Sequence, residues 1–247
     1  VKLLVGKWVE EGRAVVTRGS TYDNKANLSD KFFAEVISKY EGTRLGRQEL
    51  QAAILEDVPG ALWTLEQIDR DRIAVAPADM ARIVVAIDPP ATSGEKADEC
   101  GICVAGRGSD SRGYVLADLT SHRDTPSQWA SRAVRAYHEY KADRIVAEAN
   151  NGGEMVQEVI RQVDSTVPVK LVYASRGKVT RAEPISALYE QGRVSHVGTF
   201  ARLEDQMAAM TPDFDSKKMG YSPDRVDALV WAMTDLMPVF MADNSIF

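Results

Sequence analysis

Arg82-Ile83-Val84-Val85-Ala86-Ile87-Asp88-Pro89-Pro90 climbs through an apolar run and stops on a carboxylate with two prolines behind it. An apolar run that does not alternate with polar residues reads as a strand buried on both faces. Proline cannot donate to a sheet ladder, so Pro89-Pro90 ends the strand and leaves Asp88 at its carboxyl edge. A carboxylate in that position is costly unless something pairs with it.

Working outward, Gly101–Ala105 and Tyr114–Leu119 also read as strands, and the Gly- and Asp-containing turns between them suit antiparallel neighbours. A helix from about Pro126 to Tyr140 then carries Trp129, Ala133, Ala136, Tyr137 and Tyr140 on one side. Arg144–Ala147 follows as a buried strand. Met155, Val156, Val159, Ile160 and Val163 mark another helix, and Val169–Tyr173 another strand. Three meandering strands followed by alternating helix and strand predict an α/β fold, a mixed sheet covered by helices. Further on, the pattern predicts helices over about Arg181–Gln191, Phe200–Met210 and Arg225–Leu236, with a short hairpin-like piece at Arg193–Val197.

Before residue 80 the pattern is irregular. Ser29 is a candidate cap for a helix from Asp30 to about Tyr40, where Phe32, Phe33, Val36 and Ile37 repeat at helical spacing, and a second helical stretch covers about Arg47 to Leu55. The boundary is expected near Ala76 to Arg82. Val1–Val5 reads as the inside of a strand without an initiating Met, so the chain is expected to be a piece of a longer polypeptide.

A chain of 247 residues with 45% hydrophobic and 27% charged content can bury a substantial core. No apolar run approaches the roughly 20 residues of a membrane span. The net charge of −6 argues against non-specific coating of nucleic acid but permits a local basic groove. Cys100 and Cys103 form a CxxC, yet a tetrahedral metal site needs a second ligand pair, and His122, His138 and His196 are scattered. On a strand, residues three apart face opposite ways, so the two thiols are expected to pack in the core, and free thiols suit a reducing cytoplasm.

Asp88 has counterparts. Glu148 ends Ile145-Val146-Ala147 in the same manner, before Asn150-Asn151-Gly152-Gly153, where backbone can approach a ligand closely. Asp224 opens the last helix, and Asp227 lies one turn further on the same face. Singly, each has an ordinary explanation as a cap, turn residue or ion-pair partner. Together they would repel one another and retain protons, so such a set implies a divalent cation. Hard oxygen ligands select Mg²⁺ or Mn²⁺, and two such ions roughly 3.5–4 Å apart would drive an in-line phosphoryl displacement.

Four pieces, Val85–Pro89, Ala147–Gly153, Gly177–Pro184 and Asp224–Leu229, resemble in order and spacing the nuclease domain of the large terminase subunit of tailed bacteriophages and related elements. The likeness covers about 83 to 236. Ser20–Asn24 and Thr43–Leu50 also resemble the tail of that family's ATPase domain and its link to the nuclease. The resemblance implies an RNase H-like domain over 81–247 behind a mostly helical extension, 1–80, that ends an ATPase domain. It implies cleavage of concatemeric double-stranded DNA during genome packaging in the cytoplasm of a bacterial host, with the portal or procapsid and the small terminase subunit as partners. It makes Asp88 the acid bridging both metals, Glu148 the fourth-strand acid and Asp224 the acid opening the last helix, with Asp227 as the alternative third ligand and Asp98 as an auxiliary one. Gly42–Arg47 does not supply a phosphate-binding loop, so no ATPase activity is expected.

Backbone binding requires cations near the metals. Lys178 and Arg181, beside the proposed metal edge, and Lys217 and Lys218 in a second basic loop are the candidates, together with Asn150. His196 and Glu183 are unnecessary to a metal-activated nucleophile, and Trp129 and Trp231 are expected in the core. Two other readings share these features: a resolvase- or transposase-type enzyme of the same fold, and a non-catalytic packaging module whose acids merely cap elements.

Overall fold

The computed structural model describes residues 58–90, 99–150, 152–219 and 221–238, with 13, 24, 27–31 and 35 ahead of them. The chain divides into two compact units, Val1–Asp57 and Val58–Phe247. In the first, Asp30, Lys31 and Glu35 are helical, within the helix expected there. The rest of that helix, the stretch 47–55 and Asp98 lie outside the described residues.

The second unit begins earlier than the sequence suggests. Its first helix, α1 (Leu65–Arg70), is held by a capping box in which Gln67 N donates to Thr64 Oγ1 at 3.2 Å and Thr64 N to Gln67 Oε1 at 3.0 Å. Trp63 and Ile68 are buried in the core of this unit, and Leu62 N donates to Met210 O at 2.8 Å. These contacts bring 58–79 into the second unit, whereas the apolar pattern alone placed the change near residue 80.

Strands β1 (Met80–Asp88), β2 (Gly101–Gly108) and β3 (Gly113–Asp118) form the antiparallel meander. After helix α2 (Pro126–Glu139), β4 (Arg144–Glu148) returns parallel to β1. Helix α3 (Glu154–Val163) leads to β5 (Val169–Val172), parallel to β4. Helix α4 (Lys178–Glu190) precedes β6 (Val194–His196). The remaining helices are α5 (Ala201–Ala208), α6 (Ser216–Met219) and α7 (Asp224–Leu236). The six-stranded order is β5-β4-β1-β2-β3-β6, the mixed sheet flanked by helices that the pattern predicts.

One element differs. Arg193–Val197 is not a hairpin: Val194–His196 pairs in parallel with Gly113–Val115 and adds a sixth strand at the β3 edge. Its partner lies far back in the sequence, so no local turn announces it. Helix α4 also starts at Lys178, three positions ahead of Arg181, which puts both cations on its first turns.

Alternation along β1 builds both layers. Val84 and Ala86 face α4, α5 and α7, while Val85 and Ile87 face α2 and α3. Cys103 joins the first layer and Cys100 the second, both as buried free thiols. Helix α7 is buried on nearly all sides, which fits its unbroken apolar run and its position across β1 and β2. Leu229 at its middle is fully buried, so truncation to Ala would cost about 2–5 kcal/mol.

Candidate metal centre

Parallel pairing of β1 with β4 sets Ile87 opposite Ala147, so Asp88 and Glu148 end neighbouring strands at the carboxyl edge of the sheet. On its other side Asp88 is paired with Gly101, and Gly101 decides where α7 can sit. A Cβ there would lie 2.0 Å from the carbonyl oxygen of Asp224, so only a glycine lets the start of α7 rest on the strand end. Asp224 and Asp227, one turn apart, then face the sheet edge. Carboxylate oxygens of Asp88, Asp224 and Asp227 lie within 4.8 Å of one another. Glu148 stands beside this trio rather than within it.

Crowding shows in the protonation of the group. Burial, followed by the charges of Asp227, Glu148 and Asp224, pushes the Asp88 carboxyl well above the ordinary range, with Lys178 opposing. Burial also pushes Asp227 up; Lys178 and Arg181 pull it back and Glu148 adds to the rise. Lys178 Nζ donates to Asp227 Oδ2 at 2.5 Å and to Ser222 Oγ at 2.9 Å. Asp227 and its acidic neighbours hold the ammonium charged in spite of its burial. Arg181 bridges the cluster, reaching Asp227 Oδ1 at 3.1 Å and Glu148 Oε2 at 3.3 Å. Three converging carboxylates, with Asp88 pushed well above its ordinary range, are a donor set suited to a hard divalent cation, so the residues present fit the metal that the sequence implies.

The sites expected from sequence sort as follows. Asp88, Asp224 and Asp227 converge, and Glu148 ends the strand beside Asp88, so Asp224 and Asp227 both lie in the group. Lys178 and Arg181 reach into the acidic cluster itself. Asn150 is exposed and fastens two loops, its amide donating to Ala174 O at 3.2 Å and its carbonyl accepting from Ala174 N at 2.9 Å. Lys217 and Lys218 lie on the short α6, where Lys218 is exposed. Asp98 is outside the described residues. Glu183 is exposed, and His196 is buried between Tyr189 and Glu204.

Two participants escape sequence reasoning. Arg225, between the acids of α7, turns the other way and donates to Glu99 at 2.8 and 3.0 Å and to Asp118 at 2.5 Å. Gln206 Oε1 accepts from the Arg225 backbone N–H at 3.1 Å, completing a clamp on the helix start. Trp231 is core, as its helical stripe suggests, but its indole N–H donates to Glu148 Oε2 at 2.5 Å. The only sequence signal for this was its position, one turn beyond Asp227 on the same face.

The fold has solved counterparts at low sequence identity. A variant nuclease domain of the large terminase subunit of bacterial virus Sf6, with manganese, superposes with TM-score 0.54 at 13% identity, over 70% of this chain and 98% of that one. The human cytomegalovirus terminase nuclease domain, manganese-soaked and inhibitor-bound, gives 0.52 at 15% identity, over 73% and 97%. The large terminase of a thermophilic bacteriophage gives 0.50 at 11% identity over 98% of this chain, which spans 59% of that one. No curated protein matches the sequence. The profile of the terminase RNaseH-like domain matches residues 85–236, from the strand that carries Asp88 to the end of the helix that carries Asp224 and Asp227. With more than half of its length matched, and with the mixed sheet that the match requires, the chain belongs to the terminase RNaseH-like domain family.

Proposed function

We propose that this protein is a divalent-metal-dependent endonuclease that cuts concatemeric double-stranded DNA during viral genome packaging. The observation that carries the reading is the convergence of Asp88, Asp224 and Asp227 within 4.8 Å, with Glu148 on the adjoining strand end. Mg²⁺ or Mn²⁺ held there as a pair would supply an activated water and would stabilise the leaving oxygen of a phosphodiester. Asp88, whose carboxylate feels the charges of Asp227, Glu148 and Asp224, would be a ligand in this group. Asp224 and Asp227 hold the helix side and Glu148 the β4 side. Asp98 is kept as an auxiliary ligand on the strength of the resemblance alone.

Lys178 and Arg181 neutralise the carboxylates and offer charge to a phosphate entering the edge. Lys217, Lys218 and Asn150 are assigned to the flanking backbone. Residues 1–57 are assigned to the end of an ATPase domain and its linker, while 58–79 pack into the nuclease unit; the portal or procapsid and the small terminase subunit are assigned as partners of the longer protein in the bacterial cytoplasm. Among the described residues no helix is long and apolar enough to cross a membrane.

The test is incubation with supercoiled plasmid in Mn²⁺ and in chelator. Metal-dependent linearisation is expected. Binding without cutting would favour a docking module, and preference for branched over linear duplex would favour a resolvase-type enzyme.

A further inference from the structure

Glu148 is gripped from one side. Trp231 Nε1 at 2.5 Å and Arg181 at 3.3 Å both donate to its Oε2, while Oε1 accepts no hydrogen bond among the described residues. The two donors support each other: the Arg181 guanidinium lies over the Trp231 ring, 4.6 Å from its centroid, and its other arm reaches Asp227 at 3.1 Å. Arg181 is mostly buried and Trp231 is 7% exposed, so neither swings freely.

We propose that Trp231 and Arg181 are positioning residues that lock the Glu148 carboxylate by Oε2 and leave Oε1 as the oxygen for a divalent cation at the edge of the Asp88 cluster. The inference rests on the metal-dependent reading above and deepens it. A carboxylate on a flexible side chain loses affinity when it must be ordered at the moment of binding, and donors to its far oxygen remove that cost beforehand. Packing alone would not require an indole at position 231. A purely aliphatic or phenyl side chain would fill the same layer, and only the N–H reaches Glu148.

Trp231→Phe keeps the ring beneath Arg181 and deletes the donor. Mn²⁺ affinity, read from the electron paramagnetic resonance signal of free Mn²⁺, is expected to weaken about 10-fold. In plasmid cleavage the half-saturating Mn²⁺ concentration should rise by a similar factor, with a smaller change at saturating metal. Because Trp231 acts through Glu148, the double variant with Glu148→Gln should bind Mn²⁺ no more weakly than Glu148→Gln alone. An affinity for Trp231→Phe within twofold of the parent, or effects that add fully in the double variant, would overturn the proposal. Should Trp231→Phe fail to fold, Trp231→Met, which also lacks the donor and leaves the Arg181–Asp227 pair intact, is held to the same affinity and additivity criteria. A parent protein that binds no Mn²⁺ would defeat the metal reading itself, whereas a metal-binding parent with an unaffected Trp231→Phe would defeat this inference alone.

Discussion

Two acidic groups in this molecule, the buried Glu204 and the half-buried Asp88, behave in opposite ways. Glu204 on α5 accepts from Arg72 at 2.7 and 3.1 Å, from the Phe200 N–H at 3.0 Å and contacts His196 Nδ1 at 2.9 Å. Burial alone would raise its pKa, but His196, Arg72 and the Phe200 N–H together hold it at about 2. Desolvation, and then the charges of three neighbouring acids, push Asp88 up. A carboxylate that is matched on all sides stabilises the fold; one that is left among its own kind waits for a cation from outside.

Replacing Asp88 by Asn breaks the contrast most completely. Cleavage should be abolished, while the metal-free protein melts at the same temperature or higher, because repulsion is relieved. Full activity would remove the metal mechanism. Glu204→Gln should do the reverse, lowering stability by about 3–5 kcal/mol in denaturant titration as Arg72 and His196 lose their charged partner, with metal affinity little changed.

Acid titration sharpens the same difference. Glu204 has a folded pKa of about 2 against an ordinary 4.5, so its contribution, roughly 3 kcal/mol, is present above pH 4.5 and lost as pH falls toward 2. Asp88 has a raised folded pKa, so the stability linked to its proton is present at low pH and lost as pH rises through that value. Melting curves across pH should therefore show Asp88→Asn flattening the loss on the rising side and leaving the acid limb untouched.

Gly101→Ala probes what brings the acids together. Its Cβ would push against the Asp224 carbonyl, so a loss of about 1–3 kcal/mol and weaker Mn²⁺ binding should appear together. Unchanged Mn²⁺ affinity would mean that the seat of α7 does not set the cluster. Lys178→Ala should lower duplex affinity with a salt slope shallower by about one and, because Asp227 loses its ammonium partner, should also lower stability. An unchanged slope would remove Lys178 from the phosphate contacts.

Much of this architecture is legible in the chain. Unbroken apolar runs at Ile83–Ile87 and Ile145–Ala147 mark buried strands, and the carboxylates behind them mark their edge, because proline and glycine end the ladders there. The i, i+3 spacing of Asp224 and Asp227 puts both on one helix face, which is why either could be nominated and both arrive. Hidden from the sequence are contacts between distant positions: Arg225 with Glu99 and Asp118, separated by 126 and 107 residues, and β6 on β3.

Local periodicity and chain-breaking residues were therefore enough to determine the α/β class, the strand ends and the acidic residue types placed on them. Only the tertiary structure decided that a missing side chain at Gly101 seats α7 against β2, that Arg225 turns away to a clamp of its own, and that Trp231 gives its N–H to Glu148. The physical reason is that backbone preference acts over a few neighbouring residues, whereas hydrogen bonds, charge pairing and close approach are set by which distant segments the packed core brings within a few ångströms.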